Sequence, residues 1–176
     1  AEDDKKDKER KAVEERLARP PVSSKGSVAL SSGRKLDYLA TCEHLPVVKH
    51  AFGNERGEPE AAIFTTAYEL VGAAPAERPV CFAFNGGPGS SSVWLHLGAL
   101  GPKRVVVPSD GTMPAPPYAV SDNPLTWLAH FDLVFIDPPH TGWSIAAGDE
   151  ARKKLLSVDG DVAALTEVMR GWLTRH

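Results

Sequence analysis

Two short apolar segments, each followed by a turn and a helix-like stretch, set the strongest limit on what this chain can fold into. RPVCFAF (78–84) and FDLVFID (131–137) are nearly continuous in apolar character, as in strands that are buried on both faces of a sheet. Residues 159–174 place apolar side chains at helical spacing, at Val162, Leu165, Met169 and Trp172. The order of strand, turn and helix predicts an α/β protein whose parallel strands are covered by helices.

Upstream of these segments the pattern changes. Residues 26–68 form short β-rich segments that are separated by turn residues, which predicts antiparallel hairpins at one edge of the sheet. Residues 1–20 carry seven acidic and seven basic side chains, so we interpret 1–24 as a charged leader that is helical or disordered. The remainder, 25–176, is expected to be one domain.

The glycine-rich turn after the first apolar strand is the main candidate for chemistry. Asn85-Gly86-Gly87-Pro88-Gly89 precedes residues 90–100, which we expect to form a short helix that ends at Gly101-Pro102. Glycine lets a ligand approach the main chain, and N–H groups at the start of a helix favour an anion. The anion is either a bound phosphate or an oxyanion that develops during acyl transfer. A third interpretation is that glycine serves the turn geometry alone.

The phosphate alternative is the weaker of the two because no lysine and no third glycine in register follow the turn. In α/β hydrolases, by contrast, a glycine-rich loop after an early strand supplies one oxyanion donor. The turn matches that loop in position and chemistry.

Composition excludes several classes of function. The formal net charge of -3 gives no electrostatic reason to expect a nucleic acid or an anionic membrane as partner. The longest apolar clusters are too short to cross a bilayer. Cys42 and Cys81 are interpreted as small core residues, with a single disulfide as the alternative. We expect no metal and no cofactor.

Three motifs carry a family likeness. NGGPGSSSVWLHLGALGP (85–102), DNPLTW (122–127) and DLVFIDPPHTGWS (132–144) resemble, in order and spacing, motifs of the serine carboxypeptidase family, especially its bacterial branch. The resemblance covers about residues 60–175. It implies an α/β-hydrolase fold, a Ser-Asp-His triad without a cofactor, and the release of C-terminal amino acids from peptides that have a free C-terminus.

The resemblance also implies roles for the glycine turn. Asn85 is similar to the family's asparagine that hydrogen-bonds the terminal carboxylate of the substrate, Gly86 provides clearance, and the Gly87 N–H is similar to one oxyanion donor. An alternative for Asn85 is a side chain that caps its own turn. The chain departs from the family pattern at Ala83 and Ala99, where many members have Trp and Glu.

The family's nucleophile lies in a Gly-Glu-Ser-Tyr-Gly elbow, on the strand that follows the helix expected at 159–174. The resemblance therefore implies that this chain is the N-terminal half of an α/β-hydrolase fold, truncated before the elbow and without the triad. Alone it is expected to be inactive. The resemblance and the absence of an initiator methionine favour a secreted or periplasmic protein.

One rival nucleophile lies within the chain. Residues 142–146 read Gly-x-Ser-x-Ala around Ser144, with Asp137 and His140 close by. An elbow serine follows its strand directly, whereas Pro138-Pro139 separates Ser144 from the strand end, so we interpret Ser144 as a turn serine. His140 is expected to be an exposed loop residue, and Pro139-His140 replaces the Val-Gly of bacterial relatives. An esterase or acyltransferase on the same fold, or a non-catalytic protein that binds peptides or anions, remains an alternative function.

Overall fold

The structure, a computed structural model, describes residues 2–48, 57–74, 77–86 and 89–176. The strands are β1 Val22–Ala29, β2 Lys35–Val48, β3 Pro59–Leu70, β4 Val80–Ala83, β5 Lys103–Val105, β6 Val120–Asp122, β7 Asp132–Ile136 and β8 Ile145–Ala146. The α-helices are α1 Glu2–Leu17, α2 Val93–Leu95, α3 Asp149–Leu155 and α4 Val158–Arg175, with a π-helical turn at His96–Leu100 and a 3₁₀ turn at Trp127–Ala129.

Six strands form one mixed sheet. Their order is β1-β2-β3-β7-β4, and β8 pairs with the start of β3. The β1-β2-β3 meander is antiparallel, as predicted. β7 runs antiparallel to β3 and parallel to β4, so the parallel part of the described sheet is the β4–β7 pair, joined by the segment that contains α2. This architecture is mixed α/β and is compatible with an α/β-hydrolase-like fold.

The two apolar strands differ in burial. All five residues of β7 are buried, as predicted for a strand with neighbours on both sides. β4 was expected to be buried on both faces, but three of its four residues are only partly buried and Ala83 alone is buried. β4 is less buried because it is the last strand of the described sheet and pairs there with β7 along one edge only. Its other edge is open.

Apolar side chains pack on both faces of the sheet, because successive residues of a strand point to opposite faces. On one face Val134 and Ile136 of β7 pack with helices α3 and α4. On the other face Leu133 and Phe135 pack with Leu128 and with residues of the meander. Helix α4 buries Ala164, Leu165, Val168 and Trp172. Val162, which was predicted to lie on its apolar face, is 60% exposed.

The charged leader forms helix α1 and packs against the sheet. Val13 is fully buried, and the helix lies mainly against β3. Lys5 Nζ lies 2.9 Å from Asp149 Oδ2, and the Arg16 guanidinium lies over the Trp143 ring, 6.0 Å from its centroid. Helix α1 is therefore not wholly solvated, since Val13 is buried and Ala12 and Leu17 are partly buried.

Cys42 and Cys81 are both free thiols, so the alternative of a disulfide is wrong. No helix in the described ranges is long and apolar enough to cross a membrane. Across the same ranges no group of three or more His, Cys, Asp or Glu side chains is placed to hold a metal ion.

Candidate functional site

A cleft lies where the parallel strands β4 and β7 end. Residues that follow them, at 85–86, 89 and 138–139, meet there beside the N-terminus of helix α4. In open α/β sheets the carboxyl ends of the strands are where ligands bind. The cleft has a volume of about 250 Å³, and we call it the Asn85 cleft. It is lined by Asn85, Gly86, Gly89, Pro138, Pro139, Leu155, Leu156, Ser157, Val158, Asp161 and Val162.

Two of the three predicted site residues lie in this cleft. The Asn85 Nδ2 donates to Ser90 Oγ at 3.2 Å, across the glycine turn, so the side chain does brace its own turn. One amide N–H is used in this way, and a primary amide has a second. Gly86 is exposed at the cleft wall. Gly87, the predicted oxyanion donor, lies outside the described residues.

A buried carboxylate joins the two segments that frame the cleft. Asp137 is 6% exposed. Its Oδ1 accepts hydrogen bonds from both the backbone N–H and the hydroxyl of Ser92, each at 2.9 Å, and its Oδ2 accepts from the Trp143 N–H at 3.2 Å. A carboxylate with three donors is well suited to burial. Ser92, just before helix α2, and the 137–144 turn are thus held together by one side chain.

Gly142 is required beside this carboxylate. A Cβ at position 142 would lie 1.9 Å from Asp137 Oδ2, and the residue has φ +51°. Any other residue would therefore meet both a steric clash and a backbone conformation that disfavours side chains. The packing against Asp137 and the positive φ explain why the DLVFIDPPHTGWS motif has glycine at position 142.

The helix after the glycine turn starts later than predicted. It was expected over 90–100 but begins at Val93, and only three residues are α-helical before a π-helical turn. The Ser92 N–H, directly before this helix, donates to the Asp137 carboxylate. The expected stop at Gly101 is correct, and a Cβ there would lie 2.2 Å from the His96 carbonyl oxygen.

His96, at the start of the π-helical turn, anchors this segment in the core. Its Nε2 lies 2.6 Å from the Tyr68 hydroxyl, and its ring stacks on Phe135 at 4.5 Å between centroids. Burial lowers the pKa of His96 to about 4, and burial also raises the pKa of Tyr68. The pair is neutral at ordinary pH and positions the segment. Sequence patterns offered no sign of it, because the partners are distant along the chain.

Ser144 is a turn serine in this geometry. It is 5% exposed, its hydroxyl donates to the Asp137 carbonyl oxygen at 2.7 Å, and it accepts from the Phe64 N–H at 2.8 Å. A hydroxyl that is buried and already both donates and accepts a hydrogen bond is not accessible to a substrate. Its bonds tie the turn to β3.

His140 is not the exposed loop residue that was expected. It is partly buried, and its Nε2 has no hydrogen-bond partner among the described residues. Burial, with a smaller contribution from the Arg152 charge, lowers its pKa. Its φ of 63° makes it the single non-glycine residue with positive φ in the described ranges.

Comparison with known proteins agrees with the motifs. The family model described as serine carboxypeptidase matches residues 55–176. The protein named Serine carboxypeptidase-like 33 of Arabidopsis thaliana is 31% identical over 97 residues, which is 53% of this chain and 19% of the relative. The chain thus spans about a fifth of the length of that relative. Because the family match covers well over half of the chain, the resemblance is confirmed, and the chain belongs to the serine carboxypeptidase family.

Proposed function

We propose that this chain forms the N-terminal half of the hydrolase domain of a serine-type carboxypeptidase, which releases C-terminal amino acids from peptides with a free C-terminus. The observation that carries the proposal is the Asn85 cleft, which opens at the carboxyl ends of the β4–β7 pair and holds Asn85 and Gly86 on its wall. Ligand sites in α/β folds occupy this position. A secreted or periplasmic location belongs to the same proposal.

The first three residues of the glycine turn each have a proposed role. The second amide N–H of Asn85 donates to the terminal carboxylate of the substrate, while the bond to Ser90 fixes the amide plane. Gly86 leaves room for the peptide main chain. The Gly87 N–H stabilises the oxyanion. Asp137 acts through its hydrogen bonds as a positioning residue, because it holds Ser92, three residues after the turn.

The nucleophile is proposed to come from a strand that pairs with the open edge of β4. Partly buried Phe82 lies on β4 and contacts Trp172 of α4 at 5.8 Å between ring centroids. A parallel strand at this edge would end beside the Asn85 cleft. The triad Ser, Asp and His then lie outside residues 1–176.

The chemistry follows from this arrangement. The serine oxygen bonds to the scissile carbonyl carbon as its proton passes to the histidine, and the carbonyl electron pair moves onto oxygen, where the Gly87 N–H stabilises it. Collapse breaks the C–N bond, and the histidine returns the proton to the departing amino group. Water then attacks the acyl-enzyme in the same way.

Calorimetry on the chain tests carboxylate recognition by comparing a short peptide acid with its amide. We expect the acid to bind about tenfold more tightly, since a hydrogen bond to a charged group is the difference. Asn85→Asp, which replaces the amide by a carboxylate, should abolish the preference. Ser90→Ala is the matched control, because it removes the internal partner and leaves the amide.

Turnover is the second test. The 176-residue chain should not hydrolyse a blocked dipeptide, whereas a protein that continues it through the elbow serine should. Hydrolysis by the 176-residue chain that is lost in Ser144→Ala would refute the assignment of the nucleophile. Equal binding of acid and amide would refute the role of Asn85.

A further inference from the structure

The wall of the Asn85 cleft is apolar except at a few points. Its apolar lining comes from prolines of the 137–144 turn and from aliphatic side chains at the junction of α3 and α4: Pro138, Pro139, Leu155, Leu156, Val158 and Val162. Among the lining residues that the structure describes, Asp161 alone carries a charge. A charged group inside an apolar cleft fixes the orientation of a ligand and selects its charge.

Asp161 differs from the better-buried carboxylates of the fold in lacking a partner. Asp132 pairs with Arg78 at 3.0 Å, Glu43 pairs with Arg175 at 2.8 Å, and Asp137 has three donors. Asp161 is partly buried, and in the described part of the chain its carboxylate has no hydrogen bond or ion pair. Partial burial raises the pKa of its carboxyl.

The start of α4 does not depend on Asp161 alone, since the first turn holds two acidic residues and a separate N-cap. An acidic residue in the first turn of α4 gains from the helix dipole, but Asp159 supplies that charge from an exposed position. The cap itself is made by Ser157, whose hydroxyl accepts from the Gly160 N–H at 3.1 Å. The Asp161 N–H is already bonded to the Ser157 carbonyl oxygen at 2.8 Å.

We propose that Asp161 is a specificity-determining residue that selects peptides whose C-terminal residue has a cationic side chain, lysine or arginine. The inference rests on the proposed function, which places the terminal carboxylate at Asn85 in the same cleft. The methylene stem of such a side chain would lie along Leu156 and Val158, and its cationic end would meet Asp161. A cleft of about 250 Å³ is below the roughly 300–1,000 Å³ that holds a drug-sized ligand, which suits one side chain.

The test uses four acetylated tripeptides that differ at two points. The C-terminal residue is lysine or Nε-acetyl-lysine, which has a similar stem without the charge, and each is prepared as the acid and as the amide. Dissociation constants are measured by calorimetry for the native chain, for Asp161→Asn and for Asp159→Asn. The last variant is the matched control, since it removes an exposed carboxylate from the same helical turn.

The expected result is that the lysine acid binds at least about tenfold more tightly than the acetyl-lysine acid to the native chain and to Asp159→Asn. In Asp161→Asn this ratio should fall to about one. The inference is overturned if the lysine preference is unchanged in Asp161→Asn or is lost equally in Asp159→Asn. It is also overturned if none of the peptides binds. Asp161→Ser replaces Asp161→Asn should the latter fail to fold, as judged by thermal unfolding.

The two arms separate this inference from the proposed function. The acid-to-amide ratio reports recognition of the terminal carboxylate, and the lysine-to-acetyl-lysine ratio reports Asp161. Equal binding of acid and amide together with a lysine preference that depends on Asp161 refutes the role of Asn85 and supports the cation site. The reverse pattern supports the role of Asn85 and refutes the cation site.

Discussion

Replacing His140 by glycine should leave the fold more stable than replacing it by alanine, although both changes remove the same partly buried side chain. His140 has φ 63°, in the left-handed region that favours glycine. Its Nε2 is also buried without a partner in the described ranges. The resemblance to bacterial serine carboxypeptidases places glycine at this position, which agrees with the backbone conformation found here.

The size of the effect follows from two opposing contributions. A non-glycine residue in the left-handed region costs roughly 1–2 kcal/mol. Glycine adds conformational freedom to the unfolded chain, which costs about 0.4–1 kcal/mol. The difference between His140→Gly and His140→Ala isolates these two contributions, because both variants lack the imidazole. We therefore expect His140→Gly to be more stable than His140→Ala by about 0.5–1 kcal/mol.

Urea and thermal unfolding, followed by circular dichroism, measure this difference. For a chain of this length it corresponds to about 1–4 °C in the unfolding midpoint. Ala119→Gly is the matched control, since Ala119 is exposed in a loop and does not have positive φ. It should lower the free energy of unfolding by up to about 1 kcal/mol. The reasoning is refuted if His140→Gly is no more stable than His140→Ala.

Three further predictions concern substitutions at Asp137, Gly142 and His96. Asp137→Asn should lower the free energy of unfolding by about 1.5–3 kcal/mol, because one amide N–H must face a donor, and urea titration measures the loss. Gly142→Ala should cost at least about 1 kcal/mol by the same measurement; an unchanged midpoint contradicts the contact with Asp137. Burial lowers the pKa of His96 from 6.5 to about 4, so the unfolded chain binds this proton first as the pH falls. Stability should be full above about pH 6.5 and should decline towards pH 4, by about 3 kcal/mol from this group. His96→Gln, which keeps a partner for Tyr68, should flatten part of that decline in a series of melts.

Local sequence patterns predicted several of the main secondary-structure elements correctly. The antiparallel meander, the strand at 131–137 and the helix over 159–174 correspond to β1–β3, β7 and α4. These elements have strong period-2, continuous apolar or helical patterns. The burial of β4 was predicted less well, because burial depends on which strands are neighbours and not on the residues of the strand.

The candidate site was predictable only in part, since its polar contacts join distant segments. The glycine turn was visible as a motif, but Asp137 meets Ser92 across 45 positions, and no local pattern specifies that contact. The same holds for the pairing of Tyr68 with His96. The contact between Ser92 and Asp137 lies directly before the late start of α2. The hairpin of β5 and β6, within a proline-rich segment, was not predicted either.

The strand order has a consequence for how the polypeptide acquires its shape during synthesis. β4 precedes β7 in the chain, yet β7 is the strand on which β4 docks, with Val80 opposite Asp132. The meander β1-β2-β3 needs only contacts between successive segments and can assemble as soon as it leaves the ribosome. We expect β4 to pair only after β7 has been synthesised, because β7 is its neighbour in the described sheet. The segment to which we assign substrate binding is thus expected to be among the last parts of the described sheet to be organised on the nascent chain.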